Sequence, residues 1–204
     1  MKQGTVNFRN LIFPKKTSLS DKICSALFLF LVAVFVILIA FSKVYIADKI
    51  KGESMCPTFS DGDIVYYSQT HEITYGDIVI ISTSDKDIIK RVIGLSGDTI
   101  EIKEDVTGYY YVYRNGERLH EPYINGIEGN TKKYNEFKTF QGKSVVVGEN
   151  EFFVLGDNRA NSSDSAQYGC FSYDQLQGKV EYTVKAGRVP SLDIFRQLFL
   201  PIFK

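Results

Sequence analysis

The sequence predicts a mostly β domain carried behind one N-terminal transmembrane helix. Residues 23–41 form an unbroken apolar run. The hydrophobic runs after it are short, of strand length, and bounded by Gly and Asp. The composition points the same way, with 13 Tyr, 15 Phe, many Ile and Val, and no Trp. At 204 residues the chain has room for one ordinary domain plus an appendage.

The apolar run reads ICSALFLFLVAVFVILIAF. At helical rise it spans roughly 28 Å, close to the ~30 Å hydrocarbon core of a bilayer. A helix buried in a soluble core keeps a polar face, and this run has none. Lys2, Arg9, Lys15, Lys16 and Lys22 precede it, while Lys43, Lys49 and Lys51 follow with Asp48 and Glu53 among them. The positive-inside rule therefore predicts a cytoplasmic tail over 1–22, a helix over 23–42 and an extracytoplasmic domain over 43–204. The competing reading is a cleaved signal peptide cut near Ala40-Phe41-Ser42. The run is longer than the 7–15 residue apolar region of such peptides and its leading tail is long, so a retained anchor is favoured.

Strands are predicted at Ile64–Tyr67, Ile78–Ile81, Ile88–Ile93 and Thr99–Ile102, each entered through a Gly-Asp or similar turn. Tyr109–Tyr113 runs into Asn115-Gly116, a hairpin signal because both turn residues take positive φ. Further strands are expected at Ser144–Val147, Glu151–Leu155 and Val180–Val184, with 126–143 as loop and 104–150 as a smaller inserted β subregion. Residues 190–204 carry a dense apolar series, read as a docked terminal helix or an interfacial membrane segment.

Lys and Arg number 24, as do Asp and Glu, so the net charge is zero and nucleic-acid binding loses its usual electrostatic basis. Cys24, Cys56 and Cys170 lie far apart, and His71 and His120 complete no familiar ligand set, so no metal or cofactor is expected. Nor do the histidines suggest a Ser-His-Asp triad.

Three stretches stand apart from the strand pattern. The first is Gly52-Glu53-Ser54-Met55-Cys56-Pro57-Thr58-Phe59, just past the apolar run. The second is Ile88-Ile89-Lys90-Arg91-Val92-Ile93-Gly94, where strand alternation puts Lys90 with Ile88 and Val92, and Arg91 with Ile89 and Ile93. One of the two cations is expected to be partly buried. Burial disfavours a charged amine and moves its pKa from ~10.4 towards neutrality, where it can take a proton from a Ser hydroxyl. Arg cannot do this, because guanidinium stays charged. The third stretch, Gly156-Asp157-Asn158-Arg159-Ala160-Asn161-Ser162-Ser163-Asp164-Ser165, follows the apolar run Phe152–Leu155 and reads as a hydrogen-bonded loop able to orient a buried amine.

In this order, behind an anchor, the three resemble the type I signal peptidases, in the single-anchor form of Gram-positive bacteria. The resemblance rests on Ser54-Met55-x-Pro57-Thr58, Lys90-Arg91-Val92-Ile93-Gly94-x-x-Gly97-Asp98, and Gly156-Asp157-Asn158-Arg159 with Ser162 and Asp164-Ser165. Asn115-Gly116 and Glu121-Pro122-Tyr123 extend it over about residues 50–170. It implies a coiled β-sheet catalytic domain and a Ser-Lys dyad peptidase of the plasma membrane, with no cofactor. Ser54 matches the nucleophile and Lys90 the general base. Ser162 matches the hydroxyl that orients the amine, and Asp157 and Arg91 match a bracing pair. Asp164 belongs to the supporting loop, and Met55 and Pro57 match the substrate pocket. The implied partners are exported preproteins with small-x-small cleavage sites and the lipid bilayer, with the enzyme itself a monomer.

Three positions depart from the family pattern. Gly52 stands where some members carry an oxyanion-binding Ser, which leaves that task to backbone N–H groups, notably that of Ser54. Ser96 stands where Pro or Gly is usual, and Ala166 where Arg is usual, so Asp164 is expected to lack a partner and to leave its loop less rigid. Cys56 and Cys170 would approach each other if the blocks converge, and a disulfide between them is weighed. A signal-peptidase-like assembly factor that binds surface subunits without cutting them, or an enzyme dedicated to a subset of surface or pilus proteins, is the alternative.

Overall fold

The computed structural model describes residues 18–106, 108–124 and 143–188, in two units, 1–44 and 45–204. The first contains helix α1, Leu19–Val44. It begins several residues before the apolar run because Ser18 and Asp21 cap it reciprocally: Asp21 N donates to Ser18 Oγ at 3.3 Å and Ser18 N donates to Asp21 Oδ2 at 2.9 Å. At ~1.5 Å per residue its 26 residues reach about 39 Å. Leu, Phe, Val and Ile from Leu27 to Ile39 are exposed along it. Such a surface is unfavourable in water by ~25 cal/mol per Å², which a bilayer removes.

Among its described residues the second unit has eleven strands in two antiparallel sheets. They are β1 (Tyr45–Lys49), β2 (Ile64–Ser68), β3 (Ile78–Ser82), β4 (Asp87–Leu95), β5 (Thr99–Glu104), β6 (Tyr110–Arg114), β7 (Glu117–Arg118), β8 (Ser144–Val146), β9 (Glu151–Leu155), β10 (Phe171–Ser172) and β11 (Leu176–Val184). The large sheet runs β1-β2-β11-β3-β4-β9-β10 and the small one β7-β6-β5-β8. A short helix, α2 (Ser165–Tyr168), follows the third polar stretch.

Most strands lie where alternation and turns predict them. Asn115 and Gly116 have φ of 54° and 84°, and Arg114 pairs with Glu117 across them. β1 was not anticipated, since YIADK has neither apolar alternation nor flanking turns; it pairs along β2 from Tyr45↔Ser68 to Lys49↔Ile64. β11 starts at Leu176 rather than Val180, and register shifts at Leu176/Gly178 and Val180/Tyr182 explain why its pattern looks broken in sequence. The second sheet opens at Thr99, earlier than the subregion expected from 104. Residues 1–17, 125–142 and 189–204 lie outside the described residues, and with them the expectations for the tail, the 126–143 loop and the apolar terminus.

Strands β3 and β9 are buried on both faces, which is why they read as continuous apolar runs rather than alternating ones. Phe153 and Leu155 join Ile93, Ile100, Ile102 and Val112 in one core, while Phe152 and Val154 join Val79, Ile81 and Val92 in another. A third core gathers Ile50, Met55, Phe59, Val65 and Ile80 under the segment that carries Ser54. The Ser54 segment is thus anchored by its own apolar side chains.

Candidate active site

Lys90 sits mid-strand in β4, opposite Val79 of β3. Its side chain is enclosed, with the residue 3 % exposed. Nζ donates to Ser54 Oγ at 2.9 Å and to the Ile89 carbonyl at 2.8 Å. Desolvation is the main influence on this amine and lowers its pKa to about 8; the carboxylates of Asp164 and Asp157 oppose that shift, and Lys86 adds to it. An amine with that value is neutral in an appreciable fraction near neutral pH. In that form the 2.9 Å contact runs the other way, the Ser54 hydroxyl donating to nitrogen.

Arg91, the neighbour on the opposite face, is also largely covered, although only one of the two cations was expected to be. Its guanidinium grips Asp157 in a fork, Nε to Oδ1 at 2.8 Å and Nη2 to Oδ2 at 2.6 Å. A further bond runs to the Gly76 carbonyl at 2.9 Å, and the Tyr123 ring lies 4.0 Å from the guanidinium carbon. Thr58, in the Ser54 segment, donates its hydroxyl to Asp157 Oδ2. One carboxylate therefore ties the lysine strand, the Ser54 segment and the third stretch together.

The third stretch packs directly on the Ser54 segment. Asn158 N donates to the Ser54 carbonyl at 3.0 Å, and Asn158 Nδ2 donates to the Glu53 carbonyl at 3.1 Å. A Cβ on Gly156 would lie 2.5 Å from the Ser54 carbonyl oxygen and 2.2 Å from Ser162 Oγ. Only Gly admits that approach. Ser162 Oγ donates to Asp164 Oδ2 at 2.6 Å, and no hydrogen bond joins it to the Lys90 amine.

Asp164 corrects an expectation. Ala166 does not leave it unpartnered: its carboxylate accepts from Gly156 N at 2.8 Å, Ser162 Oγ at 2.6 Å and Ala166 N at 3.1 Å, capping α2. Burial pushes its pKa up, against these bonds and the Lys90 charge. The loop is braced from within. Ala166 itself lies buried in the core with Ile93 and Phe153. Met55, matched to the pocket, is 1 % exposed and packs in the third core, while Pro57 is exposed after a cis Cys56–Pro57 bond. Cys56 and Cys170 are both free thiols, so the weighed disulfide is not formed; burial pushes the Cys170 thiol up to about 11. Ser96 stands in a turn where Gly97 has φ 86° and Asp98 N donates to the Leu95 carbonyl at 2.9 Å.

Glu121, Tyr123 and Arg159 form a buried cluster that motif matching left without roles. Arg159 Nη1 donates to Glu121 Oε2 at 3.0 Å, Arg159 Nε to the Gly156 carbonyl at 3.0 Å, and Tyr123 OH to Glu121 Oε1 at 2.8 Å. Burial raises the Tyr123 pKa. The signal was present in Glu121-Pro122-Tyr123, but its partner could not be chosen without the fold. No group of three or more His, Cys, Asp or Glu residues arranged to hold a metal occurs among the described residues.

The model of the family described as "Signal peptidase, peptidase S26" matches residues 22–185. The chain belongs to this family. It is 36 % identical over 163 residues to signal peptidase IB of Staphylococcus aureus, covering 72 % of this chain and 82 % of that one. It is 35 % identical over 140 residues to signal peptidase I P of Bacillus subtilis subsp. natto, covering 65 % and 73 %. A crystal structure of a signal peptidase I from Enterococcus faecalis aligns with a TM-score of 0.43 and 27 % identity, over 54 % of this chain and 97 % of that one. The chain is accordingly a serine peptidase that removes signal peptides from exported preproteins. Its N-terminal helix is long and apolar enough to cross a membrane, which fits a membrane-anchored enzyme.

Proposed function

We propose that Ser54 is the nucleophile and Lys90 the general base of a Ser-Lys dyad that cleaves preproteins through an acyl-enzyme. The observation that carries this is the 2.9 Å contact between Lys90 Nζ and Ser54 Oγ, made by an amine whose burial lowers its pKa to about 8. Neutral Nζ takes the hydroxyl proton as Oγ adds to the scissile carbonyl, and the oxyanion meets the backbone N–H of Ser54. As the tetrahedral adduct collapses, the protonated amine returns that proton to the leaving nitrogen. Neutral Lys90 then activates a water, which adds to the ester carbonyl and frees Ser54 with the signal peptide. Arg91 and Asp157 brace the lysine strand. Ser162 and Asp164 act on the third stretch and set the field at the amine. Pro57 borders the substrate pocket and Met55 supports it from the core beneath; the pocket accepts small side chains at the first and third positions before the cut. The basic residues before the helix support a cytoplasmic N-terminus and a catalytic domain outside the plasma membrane, with the enzyme acting as a monomer.

The test uses the full chain in detergent with a model preprotein bearing a small-x-small site. Ser54→Ala and Lys90→Ala should each abolish cleavage while leaving the fold and substrate binding intact. Wild-type rates in either variant would remove the dyad. Binding without cleavage by any form would favour the assembly-factor reading.

A further inference from the structure

The Ser54 segment lacks the hydroxyl that a Ser at position 52 would offer; Gly52 occupies that position with φ 86°. Stabilisation of the oxyanion then depends on how well a backbone N–H is aimed. Ser54 N has no hydrogen-bond partner among the described residues, while two other amides of the same turn are engaged: Gly52 N donates to Asp61 Oδ1 at 2.8 Å and Cys56 N to the Glu53 carbonyl at 3.0 Å. Ser54 N–H is therefore an unspent donor beside the hydroxyl that attacks.

That N–H belongs to the same peptide unit as the Glu53 carbonyl. The unit is planar and trans, so its C=O and N–H point in opposite directions. Whatever holds the Glu53 oxygen aims the Ser54 N–H. Two donors hold it, Cys56 N within the turn and Asn158 Nδ2 from the third stretch, at 3.0 and 3.1 Å, which fills both lone pairs. A carbonyl only accepts, so the amide of Asn158 must present nitrogen, not oxygen. The Asn158 backbone independently fixes the other side of Ser54, with N donating to the Ser54 carbonyl at 3.0 Å.

We propose that Asn158 is a positioning residue for the oxyanion: its side chain fixes the Glu53–Ser54 peptide plane so that Ser54 N–H faces the developing negative charge. The inference rests on the reading of Ser54 as nucleophile. Asn158 touches neither the reacting atoms nor the Lys90 amine. Its removal should weaken transition-state stabilisation without altering proton transfer or substrate affinity.

The experiment compares the full-length wild type in detergent with Asn158→Ala, Asn158→Asp and Ser54→Ala on a preprotein substrate across pH. Asn158→Ala should lower kcat roughly 10- to 100-fold, short of the ~10²–10³ lost when an oxyanion donor is deleted outright. KM should stay within about twofold and the pH midpoint of kcat/KM should not move. Asn158→Asp, nearly the same shape, should lose at least as much, because a carboxylate oxygen would face the Glu53 carbonyl. Wild-type kcat in either Asn158 variant would overturn the proposal. So would a loss confined to KM, or one that follows a shifted pH midpoint. Ser54→Ala separates the two levels: if it cleaves normally, the nucleophile reading fails, whereas an inactive Ser54→Ala beside a fully active Asn158→Ala removes only the positioning role.

Discussion

Lys90 shows how one buried atom sets a pH dependence. Desolvation favours the neutral amine and two carboxylates favour the charged one, and desolvation wins, leaving a pKa of about 8. With neutral Lys90 as the proposed base, kcat/KM should rise about tenfold per pH unit below 8 and level off above it. A rate-against-pH series on preprotein cleavage checks this. The sign is the reverse of a His-based acid. The same shift affects stability: an amine with a lowered folded-state pKa makes the unfolded chain bind more protons between about pH 8 and its ordinary value of ~10.4. Stability from this group therefore rises through that window and is lost as pH falls towards 8.

The third polar stretch works as a mould for the Ser54 segment rather than as a generic loop. Gly156 emerges from β9 into van der Waals contact with the Ser54 carbonyl, and Asp164 caps α2 while holding Gly156 N. A methyl group at 156 would meet the Ser54 backbone at 2.5 Å, and backbone cannot swing aside as a flexible side chain can. Gly156→Ala should therefore displace Ser54 relative to Lys90. A loss of ~10²-fold in kcat is expected, in line with what a 1 Å misplacement costs, with the domain still folded by circular dichroism. Unaltered turnover would mean that the two segments separate more readily than this packing implies.

The two sheets are tied together at the site by charge as well as by core. Glu121 follows the small-sheet strand β7 and Arg159 follows the large-sheet strand β9; both side chains are 2 % exposed. Removing one partner leaves a buried charge uncompensated, so Glu121→Ala should cost ~3–5 kcal/mol of stability, read by denaturant unfolding. Replacing both with apolar residues of similar size, Glu121→Leu with Arg159→Met, should recover much of that loss. Tyr123 lies against Arg91 and donates to Glu121, so the same cluster reaches the Arg91–Asp157 pair beside Lys90. A double variant as defective as the single would instead make the pair's own hydrogen bonds the source of its value.

Features governed by near neighbours could be read directly from the chain. The apolar run of α1, the strands at Ile78–Ile81 and Glu151–Leu155, and the Asn115-Gly116 turn all follow from side-chain period and local backbone preference. Motif order assigned Ser54 and Lys90 as the pair to examine. The partners of buried polar groups were not readable in this way, because those groups bind across the fold. Asn158 reaches a carbonyl 105 positions away, and Arg159 reaches Glu121 across 38. Asp164 was judged by one missing Arg, yet its bonds come from Gly156, Ser162 and Ala166, made possible by the way the loop turns back on itself. β1 belongs to the same class, since its pairing with β2 supplies a reason to be a strand that its own residues do not. Period and turn chemistry act over a few residues, whereas burial forces each donor to find an acceptor wherever packing has put one.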